Sequence, residues 1–256
     1  MVVAIEYDRR MSEEKFIGYL RLVEACRTPG CPVCRCVLDE SRGYLAALLY
    51  EQVTDAGTRR AVRASWGFCG WHAGMLPEIE QSIFGAAIIY EDLVRLALER
   101  TGALAGGARP PRRRGWLAVL SGRPRPCEEV ARYRTRPACP ACVSVGQTER
   151  RALDTLVRLV DDGDLQAAYA RSDGLCVPHL FAAVEVGGAR AQVTTLVDRT
   201  REKWQTLGRT LASFVAKHDY RNREPYTPAE AAASSRAFDT LTGAGGVFGN
   251  DLRGTR

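Results

Sequence analysis

A duplicated set of cysteine and histidine motifs constrains this chain more than any other feature of its sequence. Residues 31–34 read CPVC and recur as CPAC at 139–142, while GFCGWH at 67–72 recurs as GLCVPH at 174–179. Both halves therefore carry C-P-x-C followed by G-x-C-x-x-H, at an offset of 107–108 residues. Similarity at a fixed offset predicts two related structural units before any secondary structure is assumed.

The spacing within the motifs is that of metal ligands. Two cysteines three positions apart can hold one ion from a tight turn, and a histidine three residues after a cysteine lies on the same face of a helical turn. Three sulfurs and one imidazole nitrogen suit tetrahedral zinc, whose closed structural sites commonly use Cys3His sets. We expect one site within each half, and so two zinc ions. The predicted ligands are Cys31, Cys34, Cys69 and His72 for one site, and Cys139, Cys142, Cys176 and His179 for the other.

The use of cysteine leaves two other chemistries open. The chain has nine cysteines and no recognisable secretion signal, which favours metal binding or thiol chemistry over a disulfide framework. An iron–sulfur cluster is the competing metal centre, although such clusters usually take four cysteines in closer runs. C-P-x-C also resembles the active-site sequence of thiol–disulfide oxidoreductases, but those proteins place the motif after a strand, and no strand is predicted before it here.

Three cysteines and one histidine stand outside the duplication. Cys26, Cys36 and Cys127 are expected to be small buried residues of the core. Cys36 lies two residues from a predicted ligand and could replace that ligand or act as a redox partner. His218 is expected at a helix C-terminus, where a cation is favoured.

The spacing of apolar residues around the motifs predicts helices. From Leu153 to Val160 apolar residues recur at i, i+3, i+4 and i+7, with charged residues on the other face. The segment Leu45–Val53 is its counterpart in the first half, at the same offset. We expect Gly57 and Gly163 to end these two helices.

A longer periodic segment follows each C-x-x-H motif. One runs to about Arg100 and the other covers residues 191–218. Because no stretch shows sustained alternation of apolar and polar residues with β-branched enrichment, we predict an all-α protein of two tandem helical repeats, each organised around a Cys3His metal site, with a long C-terminal helix. That helix can pack onto the repeats, and its spacing equally suits a homodimer seam. The predicted divisions are 13–101 for the first repeat, 102–126 for a linker, 127–240 for the second repeat with the long helix, and 241–256 for a disordered tail.

The net charge of +6 arises in the linker. Residues 103–126 hold six arginines and no acid, so the rest of the chain sums to zero. Four prolines and several glycines in this stretch favour an exposed basic linker. Clustered arginine is also the footprint of nucleic-acid binding, which stays an alternative. The longest apolar stretch, Ile83–Tyr90, is far shorter than the roughly 20 residues that a bilayer demands, so we expect a cytoplasmic protein without a membrane partner.

The duplicated motifs carry a resemblance to a known family. Together with KHDYR at 217–221, they resemble an uncharacterised prokaryotic protein family of unknown function. The resemblance covers roughly residues 13–240. It implies a helical, metal-binding protein and nothing about a substrate.

The sequence shows no catalytic constellation beside the metal motifs. It contains no paired-carboxylate constellation, Ser-His-Asp pattern or glycine-rich phosphate loop that would name an enzyme. We therefore expect a zinc-binding helical protein with a non-catalytic binding or regulatory role toward an unidentified protein partner, rather than an enzyme. The alternatives are a zinc-thiolate redox switch, a thiol-based enzyme, or nucleic-acid binding through the linker.

Overall fold

The predicted all-α class is confirmed. The computed structural model describes residues 17–106, 128–219 and 221–248, and these ranges contain eleven α-helices, one 3-10 turn at Leu76–Glu78 and no strand. The helices are α1 (17–25), α2 (Pro32–Glu51), α3 (Ala56–Ala64), α4 (Gly70–Met75), α5 (Ile83–Gly106), α6 (Glu128–Arg134), α7 (Pro140–Arg158), α8 (Gly163–Arg171), α9 (Val177–Val186), α10 (Arg190–Lys217) and α11 (Pro228–Thr242). Within the described ranges, no helix is both long and apolar enough to cross a bilayer.

The chain forms two compact units whose boundaries differ from those of the predicted repeats. An inserted unit consists of the described residues within 41–144, and an outer unit consists of the described residues within 1–40 and 145–256. The helix α2 begins in the outer unit and ends in the inserted unit, and α7 runs the opposite way. Each unit consequently contains the C-P-x-C motif of one half and the C-x-x-H motif of the other.

Each C-P-x-C motif opens a long continuous helix. A proline at the first helical position suits this start, because the N–H it lacks has no partner within the helix. The twenty residues of α2 extend about 30 Å, so the motif and the apolar residues Leu45, Leu48 and Leu49 lie at opposite ends of one helix. The sequence pattern indicated only the C-terminal part of this helix.

The expected role of the two glycines is wrong. The helix α2 ends at Glu51 and α7 at Arg158, so both stop before the glycine is reached. Gly57 and Gly163 instead lie in the first turn of α3 and α8. Aspartates cap those helices, since Asp55 accepts a hydrogen bond from the Thr58 backbone N–H and Asp162 one from that of Leu165.

The core of the inserted unit forms where α5 packs closely on the C-terminal part of α2. Leu45, Leu48 and Leu49 of α2 are buried together with Ile89 of α5. Gly85 makes this approach possible, because a Cβ there would lie 2.5 Å from the Leu49 carbonyl oxygen. Cys139 and Ala141, at the start of α7, belong to the same core, which places the second C-P-x-C motif against it.

The core of the outer unit uses the matching face of α7. Leu153, Leu156 and Val157 are buried together with Leu196 of α10, and Cys31 and Cys34 belong to the same cluster of buried residues. The predicted long C-terminal helix is present as Arg190–Lys217.

The helix α11, which packs against α10, was not predicted from the sequence. A capping box between Thr227 and Glu230 opens it. The buried Glu230 carboxylate also accepts hydrogen bonds from Ser213 at 2.6 Å and Lys217 at 3.0 Å, which ties α11 to the end of α10. The homodimer seam proposed for α10 stays a prediction.

Candidate metal centres

The eight predicted ligands lie in two clusters, but the predicted pairing between motifs is wrong. Within each cluster the four ligand atoms all lie within 4.8 Å of one another. The first cluster consists of Cys31, Cys34, Cys176 and His179, and the second consists of Cys69, His72, Cys139 and Cys142. The C-P-x-C motif of each half therefore meets the C-x-x-H motif of the other half.

The length of α2 explains why the motifs of one half do not meet. Cys34 and Leu48 are fourteen residues apart on this helix, which is about 20 Å along its axis. Leu48 belongs to the core of the inserted unit, which also contains Cys69. The cysteines at the start of α2 and the leucines near its end therefore pack into different cores. The same reasoning applies to α7, whose first turn carries Cys139 and Cys142.

All four motifs place their ligands at the start of a helix in the same way. In each, the first cysteine directly precedes the helix and the second ligand lies in its first turn. The cysteine carbonyl accepts the first helical hydrogen bond, at 3.1 Å for Cys31 and Cys139 and at 2.9 Å for Cys69 and Cys176. Backbone N–H groups at a helix start stabilise negative charge, so they favour thiolates over thiols.

The glycine of each G-x-C-x-x-H motif is required by its backbone conformation. Gly67 has a φ of 92° and Gly174 a φ of 81°, in a region that residues with a Cβ rarely adopt. A Cβ on Gly174 would also lie 2.6 Å from Cδ of Lys203. These glycines turn the chain so that the cysteine two residues later opens a helix toward its cluster.

The ligand atoms of the first cluster are spaced as around one tetrahedral ion. The His179 Nδ1 atom lies 3.4 Å from Cys31 Sγ, 3.3 Å from Cys34 Sγ and 3.2 Å from Cys176 Sγ. Cys34 Sγ and Cys176 Sγ are 3.8 Å apart. Tetrahedral zinc with ordinary bond lengths places two sulfurs about 3.8 Å apart and a sulfur and a nitrogen about 3.6 Å apart.

The second cluster has the same geometry. His72 Nδ1 lies 3.1 Å from Cys69 Sγ, 3.7 Å from Cys139 Sγ and 3.4 Å from Cys142 Sγ. Cys69 Sγ and Cys142 Sγ are 3.6 Å apart, far beyond the roughly 2.05 Å of a disulfide. Both clusters could therefore hold a metal ion, and their donor sets and spacing fit zinc.

Hydrogen bonds within each cluster favour one cysteine as a thiol and another as a thiolate beside a positively charged histidine. A hydrogen bond with Cys176 raises the pKa of Cys34, and one with Cys139 raises the pKa of Cys142. Burial lowers the pKa of the two histidines, but the surrounding sulfurs outweigh it and raise the pKa to about 9 for His72 and about 11 for His179. Burial raises the pKa of Cys31, yet hydrogen bonds from its neighbours bring it well below its usual range. Hydrogen bonds from Cys139 and Cys142 similarly lower the pKa of Cys69. A bound metal cation would lower the pKa of the remaining thiols, so that every cysteine of a cluster would bind it as a thiolate.

Each ligand histidine has an outer partner that the sequence analysis missed. His179 Nε2 lies 3.0 Å from a carboxylate oxygen of Glu149, and His72 Nε2 lies 3.3 Å from the hydroxyl of Ser41. Such contacts orient the imidazole and raise its basicity, more strongly for a carboxylate than for a hydroxyl. Ser41 and Glu149 are related by the same offset of 108 residues as the motifs, and this relation could have identified them.

The two clusters differ in burial. All four ligands of the first cluster are buried, whereas Cys69 and Cys142 of the second cluster are only half-buried. Cys69 and Cys142 therefore keep part of their surface in contact with solvent.

The segment after α11 covers the first cluster. The Ala244 backbone N–H points at Cys34 Sγ, 3.4 Å away, and the Phe248 ring packs edge-on against the His179 imidazole, with 4.8 Å between centroids. The prediction of a disordered tail from residue 241 is therefore wrong for residues 241–248. Residues 249–256 lie outside the described ranges.

A cavity of about 180 Å³ lies beside the first cluster. Cys31 and Cys176 contribute to its wall but are only 6% and 1% exposed. Arg236 and Asp173 form an ion pair across the same wall. The cavity approaches two ligands of the first cluster without exposing them appreciably.

Cys26, Cys36 and His218, which the structure describes, take no part in either cluster. Cys26 and Cys36 are buried, and burial raises the pKa of each thiol to about 12. Cys36 therefore does not replace a ligand. His218 caps the C-terminus of α10, and its Nδ1 lies 3.1 Å from the Tyr226 hydroxyl. Cys127 and most of the predicted basic linker lie outside the described residues.

Comparison with known proteins gives one family. A comparison with the curated proteins and one with the solved structures return no match. The model of a family of unknown function (DUF6062) matches residues 15–245, in agreement with the resemblance noted from the motifs. Because this match spans nearly the whole chain, the protein belongs to that family of unknown function (DUF6062).

Proposed function

We propose that this protein binds two zinc ions, one in each Cys3His cluster, and acts as a non-catalytic binding or regulatory protein. The observation that carries the proposal is the spacing of the ligand atoms. Contacts between Nδ1 and Sγ of 3.1–3.7 Å, with sulfurs 3.6 and 3.8 Å apart, match the edges of a single tetrahedral zinc site.

The number of protein ligands supports a structural rather than a catalytic ion. Catalytic zinc keeps one coordination position for water or substrate, whereas each cluster here offers four protein ligands. Those ligands come from segments far apart in the sequence, so each ion would tie together two helix starts. We also propose that this scaffold binds a protein partner, which is unidentified, and that it forms a homodimer through α10.

Zinc is favoured over an iron–sulfur cluster by the same distances. An iron–sulfur cluster places each protein ligand on an iron at its periphery, which needs ligand atoms spread around several metal and sulfide atoms. Here all four ligand atoms converge within 4.8 Å. That space suits one ion.

A zinc-thiolate redox switch is the second candidate, and the half-buried Cys69 and Cys142 favour it. Thiolates that reach solvent are the ones that oxidants attack. The redox switch would have the same two zinc sites as the structural protein. It differs only in that oxidation of the cysteine sulfurs would release zinc.

Elemental analysis of protein purified without oxygen tests the proposal. We expect close to two zinc ions per chain, falling to one in Cys34→Ser and in Cys69→Ser. Iron together with acid-labile sulfide would identify an iron–sulfur cluster instead of zinc. The absence of bound metal would refute the proposal. Zinc content unchanged in both variants would show that the clusters do not hold it.

A further inference from the structure

The two clusters have the same set of ligands, but the surroundings of those ligands differ. Each difference favours oxidation of the second cluster over the first. We propose that the second cluster is an oxidation site at which hydroperoxides join Cys69 to Cys142 and release one zinc ion, while the first cluster keeps its ion. This inference rests on the proposed zinc binding.

Access to the sulfurs is the first difference. Cys69 and Cys142 are half-buried, and all four ligands of the first cluster are buried. The first cluster is also covered by Ala244 and Phe248. Its neighbouring cavity leaves Cys31 only 6% exposed, so a peroxide that enters the cavity meets little sulfur surface. Oxidation follows the exposure of the thiolate, which selects the second cluster.

The strength of metal binding is the second difference. Glu149 places a carboxylate against the imidazole of the first cluster, and Ser41 places a hydroxyl at the matching position of the second. The carboxylate makes its histidine the stronger ligand. The second cluster should therefore also hold its ion less tightly, which frees its sulfurs for reaction.

The geometry suits a disulfide between the sulfurs of the two half-buried cysteines. Cys69 Sγ and Cys142 Sγ are 3.6 Å apart and must close to about 2.05 Å. One thiolate attacks a peroxide oxygen, the O–O bond breaks, and hydroxide leaves, which gives a sulfenic acid. The other thiolate attacks that sulfur, the S–S bond forms, and a second hydroxide leaves. Two thiolates and one hydrogen peroxide thus yield one disulfide and two hydroxide ions.

The loss of two ligands out of four releases the ion. Zinc is neither oxidised nor reduced in this step, because the two electrons pass from the sulfurs to the peroxide. The remaining His72 and Cys139 cannot hold the ion in a closed site. A dithiol reductant and added zinc should restore the cluster.

The test uses the zinc-loaded full chain and hydrogen peroxide, with a chromophoric chelator reporting release. Alkylation of free thiols followed by peptide mapping identifies the disulfide. We expect the first equivalent of zinc to appear at least about tenfold faster than the second, together with a Cys69–Cys142 disulfide. Release of both ions at one rate, release without that disulfide, or a Cys34–Cys176 disulfide formed first would overturn the inference.

Two variants sharpen the experiment. Phe248→Ala removes the ring that packs on His179, and we expect its second equivalent of zinc to be released faster than in the wild type. Cys36→Ala removes a buried thiol outside both clusters and should leave both release rates unchanged. If the second zinc ion is released from Phe248→Ala at the wild-type rate, the Phe248 ring does not protect the first cluster. Fewer than two zinc ions before peroxide is added would instead refute the proposed zinc binding.

Discussion

A double-mutant cycle tests which motifs share an ion. The perturbations are Cys34→Ser, Cys176→Ser and Cys69→Ser, alone and in pairs. If Cys34 and Cys176 bind the same ion, the first substitution already removes it and the second has little left to remove. Cys34→Ser and Cys69→Ser act on different ions, so their effects should add.

The magnitude follows from the length of chain that each ion closes. Cys34 and Cys176 are 142 residues apart, and the loop-entropy relation derived for disulfides gives about 5 kcal/mol for a cross-link of that span. Cys69 and Cys142 are 73 residues apart, which gives about 4 kcal/mol. We therefore expect a coupling of about 5 kcal/mol between Cys34 and Cys176, and about zero between Cys34 and Cys69.

Urea unfolding and zinc analysis together supply the readout. Zinc per chain should be one in each single variant, one in Cys34→Ser/Cys176→Ser and zero in Cys34→Ser/Cys69→Ser, so the test holds even for a variant too unstable for an unfolding curve. Cys36→Ala, two residues from Cys34, is the matched control and should retain two ions. One remaining ion in Cys34→Ser/Cys69→Ser, with none in Cys34→Ser/Cys176→Ser, would refute the crossed pairing and restore the pairing within each half.

Four further expectations follow from the same structure. Glu149→Gln should weaken zinc binding at the first cluster by about 10–100-fold in a chelator competition, and Glu185→Gln, at an exposed position of α9, should not. Gly174→Ala should lower the free energy of unfolding by at least about 1–2 kcal/mol because of its positive φ, while Gly146→Ala, at an open position of α7, should leave it unchanged or raise it. Hydrogen bonds from Ser213, the Thr227 backbone and Lys217 lower the pKa of Glu230 from 4.5 to about 2, so its contribution to stability is present above pH 4.5 and lost as the pH falls through about 2. The wild type should therefore lose its advantage over Glu230→Gln across that interval in acid unfolding curves. Changing the six linker arginines to serine should barely alter nucleic-acid binding, which we expect to be weak at about 0.15 M salt, and tight binding that the substitution abolishes would identify the linker as a nucleic-acid site.

Local patterns predicted the helices and the ligand residues, because both depend on residues close together in sequence. The three–four spacing around Leu153 gives α7, and the C-x-x-H spacing places His179 on the same turn as Cys176. The eight cysteines and histidines of the motifs are the residues that lie together in the two clusters.

The pairing of the motifs could not be predicted in this way. It depends on α2 being one unbroken helix, and the residues between Cys36 and Leu45 show too little apolar periodicity to reveal that. The outer partners Ser41 and Glu149 were missed because they differ in type, and only their common offset relates them. The helix α11 was missed because its exposed small residues give little periodic pattern, although Thr227 and Glu230 form a recognisable capping box.

The crossed pairing also sets an order for biosynthesis. A chain leaves the ribosome from its N-terminus, so the second cluster is complete once Cys142 has emerged, whereas Cys31 must wait for His179, which lies 148 residues after it. Before Cys139 is made, the nascent chain already contains Cys31, Cys34, Cys69 and His72. These four residues are also a Cys3His set and could bind zinc as a non-native site. Once α2 has formed, about 20 Å of helix lies between Cys34 and Leu48, which packs in the same core as Cys69. We expect this helix to oppose closure of the wrong site, so that the first motif to be made would be the last to receive an ion.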